Sequence, residues 1–316
     1  VLERGRPGKD KTCGDALLPS ASELISLFGI NQDRLKMLGG CRNDRCDLYV
    51  DKYFVRRSEY VGKSFWVIQR AIIDQEIRNI TAQNTSFIYE TCATDLTIEA
   101  EGKLQLSVKQ KDDRISQFKC DAVILATGSM NRLSMKLGID GKHHKAFAIS
   151  MYAQIQQPVG LVSLFIDFCE PFYRWIFPMS ENIANIGVCV LNENPEYNLR
   201  LLGEEFLKDH HARPLGKWRG GWGPLWSGLG QCWHHPSGVV SCGDAAGLIN
   251  PHTGEGMTGA LISGQQAGKA VSAYLRENRE PLRLEDYSRW IKEHFSQEYR
   301  LTPSLQQDGP YSNHAA

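Results

Sequence analysis

The chain has 316 residues, 42% of them hydrophobic, with 36 basic and 36 acidic side chains and a formal net charge of zero. That composition supports a sizeable core, gives no sign of disorder, and excludes the basic excess of an electrostatic nucleic-acid binder. Nine scattered cysteines with no CxxC pair argue for reduced thiols in a cytoplasmic protein, and no apolar run reaches the roughly 18 residues of a membrane span.

In chain order, Val1-Leu2-Glu3 reads as a strand end, with Glu3 its acidic terminus. Lys11-Thr12-Cys13-Gly14-Asp15-Ala16-Leu17-Leu18-Pro19 is a glycine-containing loop. Cys13 there is an inert thiol by default, or a partly activated one if a ligand lies beside it. Ser20 to Gly29 predicts a short helix with Ser20 as cap and Leu24, Leu27 and Phe28 on the inward face. Ser58 to Ile68 has strand character. Arg70 to Ile80 is amphipathic, carrying Ile72, Ile73, Ile77 and Ile80 at helical spacing. Arg70 and Asp74 open that helix; the arginine fork suits phosphate oxygens, or else it is a solvated helix start. Segments 86–89, 96–99 and 104–109 predict a three-strand meander whose charged tip is 109–114.

Residues 121–126 form a short apolar run of the kind buried in a parallel sheet, followed by Ala126-Thr127-Gly128-Ser129. Small residues such as Thr127 and Gly128 at a strand end admit a ligand, though any tight turn can look the same. From 149 to 238 the chain is rich in aromatic residues and strand-like runs: 162–168, 174–177 and 183–191. Period-two alternation puts Tyr173, Trp175 and Phe177 on one face, as pocket lining or as core. With Trp218, Trp222, Trp226 and Trp233, this predicts an antiparallel sheet walling a pocket.

The run from Cys242 to Met257, CGDAAGLINPHTGEGM, is the most informative segment. A buried strand (238–241) precedes it and a small-residue helix (257–274) follows. Strand, glycine-rich loop and helix present backbone N–H groups to an anionic or polar ligand. Gly243 and Asp244 stand at the strand's carboxyl end, where open α/β sheets bind ligands, and a carboxylate there suits sugar-type hydroxyls. Pro251, Gly254, Glu255, Gly256 and Met257 form the approach to the helix. Gly254 and Gly256 let a flat ring come close to the backbone, and the positive helix end favours negative charge on it. The adjacent pairs His143-His144, His210-His211 and His234-His235 diverge on helix and strand alike and make poor metal sites. No metal site is expected. A polar tail begins at Thr302.

Taken in order, Glu3, the KTCGDALLP loop, Arg70 with Asp74, DAVILATGS, PFYRWIFP with Asn185-Ile186-Gly187, and CGDAAGLINPHTGEG resemble one family over residues 1–300. It is the geranylgeranyl-reductase branch of flavoproteins with the para-hydroxybenzoate-hydroxylase fold. The resemblance implies an α/β protein: a Rossmann-like FAD-binding domain lacking its first strand–helix unit (1–40, 69–148 and 236–276), an antiparallel β-sheet substrate domain (41–68 and 149–235), and C-terminal helices and tail (277–316). It implies that Glu3 binds the adenosine ribose, Arg70 the pyrophosphate and Asp244 the ribityl or pyrophosphate region. Thr127, Gly128, Gly243, Pro251 and Glu255 would also line the cofactor site, with 254–257 on the pyrimidine side of the flavin. Cys13 would lie near flavin and substrate, and Tyr173 and Trp175, with Phe177, would line the substrate cavity.

The implied chemistry is reduction of an isoprenoid or similar lipophilic C=C bond. Electrons would come from NAD(P)H, a flavin reductase or a reduced protein partner. The protein would be cytoplasmic, with peripheral membrane contact compatible. The family's Gly-x-Gly-x-x-Gly turn falls before Val1, so either the chain is N-terminally shortened or another segment substitutes. Ala126-Thr127-Gly128 stands where many hydroxylases have Ala-Asp-Gly. The Gly-Asp-Ala-Leu-Leu-Pro loop is also similar to that of halogenases, whose Trp-x-Trp-x-Ile-Pro segment here carries Tyr173 and Phe177 at its first and fifth places. The alternatives are therefore an FAD monooxygenase or halogenase, and a truncated non-catalytic relative.

Overall fold

A computed structural model describes residues 1–99, 102–130, 132–139, 143–156, 160–167, 172–190, 197–228 and 232–300. Expectations for Phe168, Pro171, Leu191 and the tail from Thr302 fall outside them. The chain divides into two compact units: 1–9, 74–143 and 223–298 form the first, and 10–73, 144–222 and 299–316 the second. Residues 10–40, expected with the cofactor domain, fall in the second.

In the first unit, Val239–Ser241 pairs in parallel with Val123–Leu125 and antiparallel with His234–His235. The central strand is wholly buried. Val123–Leu125 ends the sheet, so Ile124 stays 40% exposed rather than buried as its composition suggested. Thr91–Ile98, Leu104–Gln110 and Ile115–Cys120 make the antiparallel meander. Its turn needs Asp113 at φ 63°, a conformation aspartate tolerates better than most residues. The first expected meander strand, 86–89, is not one. Ile88 instead forms an isolated parallel bridge to Leu2, and Thr91–Ile98 takes its place. Leu96, Leu104, Leu106, Val108, Leu125 and Val239 close one core beneath these strands. Helices Met257–Arg276 and Leu282–Glu298 complete the unit, and the Tyr287 hydroxyl donates to the Ser241 carbonyl at 2.7 Å.

The second unit is built on an eight-stranded sheet. Its order runs Arg213–Pro214, His144–Gln154, Ile183–Val190, Phe172–Pro178, Leu161–Ile166, Arg45–Val50, Tyr53–Glu59, with Arg219–Leu225 also pairing His144–Gln154. Alternation along three central strands makes two faces. On one, Met151, Ala153, Ile176, Ala184 and Ile186 meet Phe206 and Leu207 of helix Leu199–Asp209. The opposite face carries three rows in register: Tyr173, Cys189 and Ala148; Trp175, Gly187 and Ser150; Phe177, Asn185 and Tyr152. A smaller sheet joins Ala16–Leu17, Phe65–Val67 and Cys41–Asn43.

Three local expectations are corrected here. The 58–68 stretch is two strands, because the chain turns at Val61-Gly62, with Gly62 at φ 73°. The first helix is Pro19–Ser26, opened by a proline at its first turn with no side-chain cap from Ser20. Proline suits that position because its missing N–H would be unpaired anyway. Ala21 and Ile25 form the helix's buried face, and because the helix ends at Ser26, Leu27 and Phe28 lie beyond it, 73% and 46% exposed. The tryptophans do not form one wall. Trp226 stacks on Trp233 at 5.5 Å in the first unit, while in the second Trp218 packs over Gly203, where a Cβ would lie 2.6 Å from its ring.

Candidate functional site

The parallel pairing in the first unit decides where its loops go. Ser241 lies opposite Leu125, and the Cys242 N–H donates to the Leu125 carbonyl at 3.1 Å. Two loops therefore leave the same carboxyl edge side by side: Ala126–Ser129, with Thr127 and Gly128, and Cys242–Gly247, with Gly243 and Asp244. Gly128 has φ 67°, and a Cβ there would meet nothing within 4 Å. Gly243 opens a short 3-10 turn at φ 59°; its N–H donates to Ser263 Oγ at 2.9 Å. The Trp233 indole N–H holds the Ala246 carbonyl at 2.8 Å, so the turn is pinned from both sides.

The loop into helix Met257–Arg276 is equally built. Asn250 Oδ1 accepts the His252 and Thr253 N–H groups at 2.8 and 3.2 Å, and the Gly254 N–H reaches the Asn250 carbonyl at 2.9 Å. Pro251 sits in this turn and Gly254 closes it at φ 67°. Glu255 Oε1 accepts the Thr258 N–H at 2.6 Å, so one carboxylate already uses part of the helix's positive end. At Gly256 a Cβ would lie 3.0 Å from Asp244 Oδ1 and 3.2 Å from Ile249 Cγ1. The absence of a side chain at Gly256 is what lets the Asp244 carboxylate sit against the residue that caps the helix.

Glu3 is committed locally. Its Oε1 accepts the Gly5 N–H at 2.6 Å and its Oε2 lies 3.5 Å from Arg78 Nη2. Small residues at two parallel strand ends, a carboxylate and a glycine-rich helix start fit the ribityl and pyrimidine portions of a flavin nucleotide.

The second unit holds the other named residues. Trp175, 4% exposed, is flanked on one face by Tyr173 at 5.8 Å and Phe177 at 5.9 Å between ring centres. The indole lies flat on Gly187, where a Cβ would stand 2.0 Å from its Cζ2. The loop at 12–15 covers this face. A Cβ on Gly14 would come within 3.1 Å of both the Trp175 and Phe177 rings. The Cys13 carbonyl accepts from Asn185 Nδ2 at 2.9 Å and Ser150 Oγ at 3.0 Å. Arg70, expected to meet a pyrophosphate, places its Nη1 3.8 Å from Cys13 Sγ and its backbone N–H on Asp15 Oδ1 at 3.2 Å. Burial, with Cys189 beside it, drives the Tyr173 phenol well above its ordinary range, and the Cys189 thiol is pushed up to about 12 by its own burial.

Sequence reasoning missed the centre of this face. Asp15 is 1% exposed and held at φ 61°. Its Oδ2 accepts from the Tyr152 hydroxyl at 2.8 Å and from Asn185 Nδ2 at 2.9 Å, while Asn185 Oδ1 accepts from the Trp175 indole at 3.1 Å. The available signal was a charged residue wedged between Gly14 and an apolar run, but its partners lie 137 and 170 residues away.

Two strand-end loops and a glycine-cradled helix start, with a separate aromatic sheet, define the class: the fold is that of FAD-dependent oxidoreductases of the geranylgeranyl-reductase type. A geranylgeranyl bacteriochlorophyll reductase-like structure from Thermoplasma acidophilum matches at TM-score 0.80 and 19% identity, over 94% of this chain and 78% of that one. A flavin-dependent halogenase matches at TM-score 0.73 and 17% identity, over 94% and 57%. No family model matches the chain. Among homologues of known sequence, a menaquinone reductase of Mycolicibacterium smegmatis is 24% identical over 86% of this chain and 70% of its own length. A digeranylgeranylglycerophospholipid reductase of Thermoplasma acidophilum is 22% identical over 95% and 78%. The resemblance drawn from the motifs is thus upheld by reductase homologues along most of the chain. Among the described residues no helix is long and apolar enough to cross a membrane.

Proposed function

We propose that the protein is an FAD-dependent reductase of C=C bonds in an isoprenoid or similarly lipophilic molecule. The observation that carries this reading is the side-by-side exit of Thr127-Gly128 and Gly243-Asp244 from two paired parallel strands, with Gly256 open to the Asp244 carboxylate. Reduced FAD, when bound, supplies the hydride. The chain's own residues do the rest. Gly243, Asp244, Gly254, Gly256 and Met257 hold and orient the cofactor, with Thr127, Gly128, Pro251 and Glu255 shaping its surroundings. Glu3 serves the adenosine end through the pair it makes with Arg78. Tyr173 and Phe177 offer partly exposed aromatic surface to a prenyl chain, and Trp175, 4% exposed beneath the 12–15 loop, supports them from within the sheet rather than lining a cavity. Cys13 lies over that surface, beside Arg70. NAD(P)H or a reduced protein partner delivers the electrons, and peripheral contact with a membrane brings the lipid. The names of the homologues support the substrate class.

The test is anaerobic: dithionite-reduced protein is mixed with digeranylgeranylglycerophospholipid in detergent micelles. Flavin reoxidation with a saturated prenyl product supports the reading. Reoxidation only by oxygen, or a product dependent on halide, transfers it to the monooxygenase or halogenase alternative, whose fold is shared. Cys13→Ala is expected to slow turnover at least tenfold while leaving flavin content unchanged. An unaltered rate removes Cys13 from the chemistry.

A further inference from the structure

We propose that the hairpin of strands Arg45–Val50 and Tyr53–Glu59 in the second unit is the surface by which the protein docks on an anionic lipid bilayer. The proposal rests on the lipophilic-substrate reading above and names the surface through which such a lipid is met. Tyr53–Glu59 stands last in the order of the eight-stranded sheet, and six of its seven residues are exposed. Tyr53, Phe54 and Val55 are 78%, 55% and 54% exposed. Three consecutive large apolar side chains held in water forgo the gain of burial unless something covers them.

The local structure keeps these side chains out. Val50 pairs with Tyr53, so Asp51 and Lys52 alone make the turn, at φ 47° and 70°. Two positive φ values in a two-residue loop match the twist of the flanking strands and give a tight tip. The register shifts between Leu48 and Tyr49: Tyr49 lies opposite Phe54 and Leu48 opposite Arg56, which leaves Val55 as an extra residue. Such a bulge bends its strand. Behind the tip the hairpin is tied to the sheet. Phe54 meets the Tyr49 ring edge-on at 5.7 Å, Tyr49 stacks on Phe165 at 4.6 Å, and Arg57 donates to both Asp47 carboxylate oxygens at 2.7 and 2.8 Å. These ties hold Tyr53 and Val55 in place as a projecting apolar edge.

Charge selects the occupant. The run reads Asp51-Lys52-Tyr53-Phe54-Val55-Arg56-Arg57, so cations flank the apolar triplet on both sides. Arg57 is committed to Asp47, while Lys52 and Arg56 are exposed. An exposed aromatic ring with Lys and Arg beside it has the chemistry of an interfacial anchor. The body of the ring enters the acyl boundary, its hydroxyl stays among the headgroups, and the cations meet anionic phosphates. A second copy of the chain pairing along this strand is disfavoured, because the bulge interrupts the row of N–H and C=O groups that such pairing needs and charged side chains line the edge.

The experiment is co-sedimentation of the full chain with vesicles of phosphatidylglycerol and phosphatidylcholine in equal parts, and with vesicles of phosphatidylcholine alone. Binding to the anionic vesicles is expected, weaker on phosphatidylcholine and falling as salt rises. Lys52→Asn with Arg56→Glu, and separately Tyr53→Ser with Val55→Ser, should each weaken it at least about tenfold. Asparagine is chosen at 52 because it tolerates the positive φ. Tyr53→Trp, which keeps an interfacial ring, should retain binding. All four positions are exposed, so the unfolding midpoints of these variants should stay near that of the wild type. Wild-type protein that ignores anionic vesicles, equal binding to phosphatidylcholine, or binding indifferent to both pairs of substitutions overturns the proposal. A wild-type dimer that either pair dissociates, with no vesicle binding, also overturns it and gives the surface to a second copy. Vesicle binding needs neither flavin nor turnover, so the two readings fail separately. A flavin-loaded chain that docks as described yet leaves the lipid unreduced overturns the reductase reading and leaves the docking surface standing; a chain that reduces micellar lipid and ignores vesicles does the reverse.

Discussion

Gly187→Val is expected to expel the Trp175 indole from the sheet face and destabilise the second unit by roughly 3 kcal/mol or more. The position built for a Cβ at Gly187 lies 2.0 Å from Trp175 Cζ2 and 2.5 Å from two further ring atoms. Carbon atoms in contact stay about 3.5 Å apart, so neither a small rotamer shift nor a backbone adjustment of a few tenths of an ångström clears the overlap. Valine's preference for strands offsets at most about 1 kcal/mol. Losing Trp175 from its stack with Phe177 and its packing on Tyr173 costs about another 0.5–1.5 kcal/mol per pair. The indole N–H to Asn185 goes too, and with it one support of the Cys13 loop. Denaturant titration of Gly187→Val, Trp175→Leu and the double variant checks this. The double variant should be more stable than the sum of the single losses implies, because the leucine vacates the space the valine needs. Additive losses would mean that the indole and Gly187 are not coupled as described.

The second large effect concerns the first unit. Asp244→Ala should weaken FAD binding by between ten- and a hundredfold, since a hydrogen bond to a charged group contributes about 1.5–3 kcal/mol and each 1.4 kcal/mol is a factor of ten. Its carboxylate stands at the strand end and against Gly256. Gly256→Ala should act through the same atoms, because its methyl would press on Asp244 Oδ1 at 3.0 Å and on Ile249 at 3.2 Å. Equilibrium dialysis with FAD measures both. The fold should survive in each variant, since the turn remains pinned by Ser263 and Trp233. Unchanged affinity in both variants would take Asp244 out of the cofactor site.

The strand–turn–helix around Gly243 was legible because its signals are local: a short apolar strand, glycines at the turns, and a helix of small residues. The aromatic row was legible because period two fixes which residues share a face, whatever lies opposite. Asp15 was not. Its meaning comes from Tyr152 and Asn185, on strands whose register no single sequence specifies. The tryptophans misled for a related reason: nearness in sequence between Trp218 and Trp233 says nothing about which unit each joins. Pro19 outweighed Ser20 at the first helix start, and the helix ends at Ser26, so Leu27 and Phe28, read as part of its inward face, fall beyond it and stay exposed.

The central claim is that the strand-end cradle of the first unit holds a flavin. Titration of the apoprotein with FAD, followed by flavin fluorescence, tests it directly. Saturable one-to-one binding that Asp244→Ala weakens at least tenfold is the predicted result. Failure of the folded wild-type chain to bind FAD, or binding indifferent to both Asp244→Ala and Gly256→Ala, would contradict it.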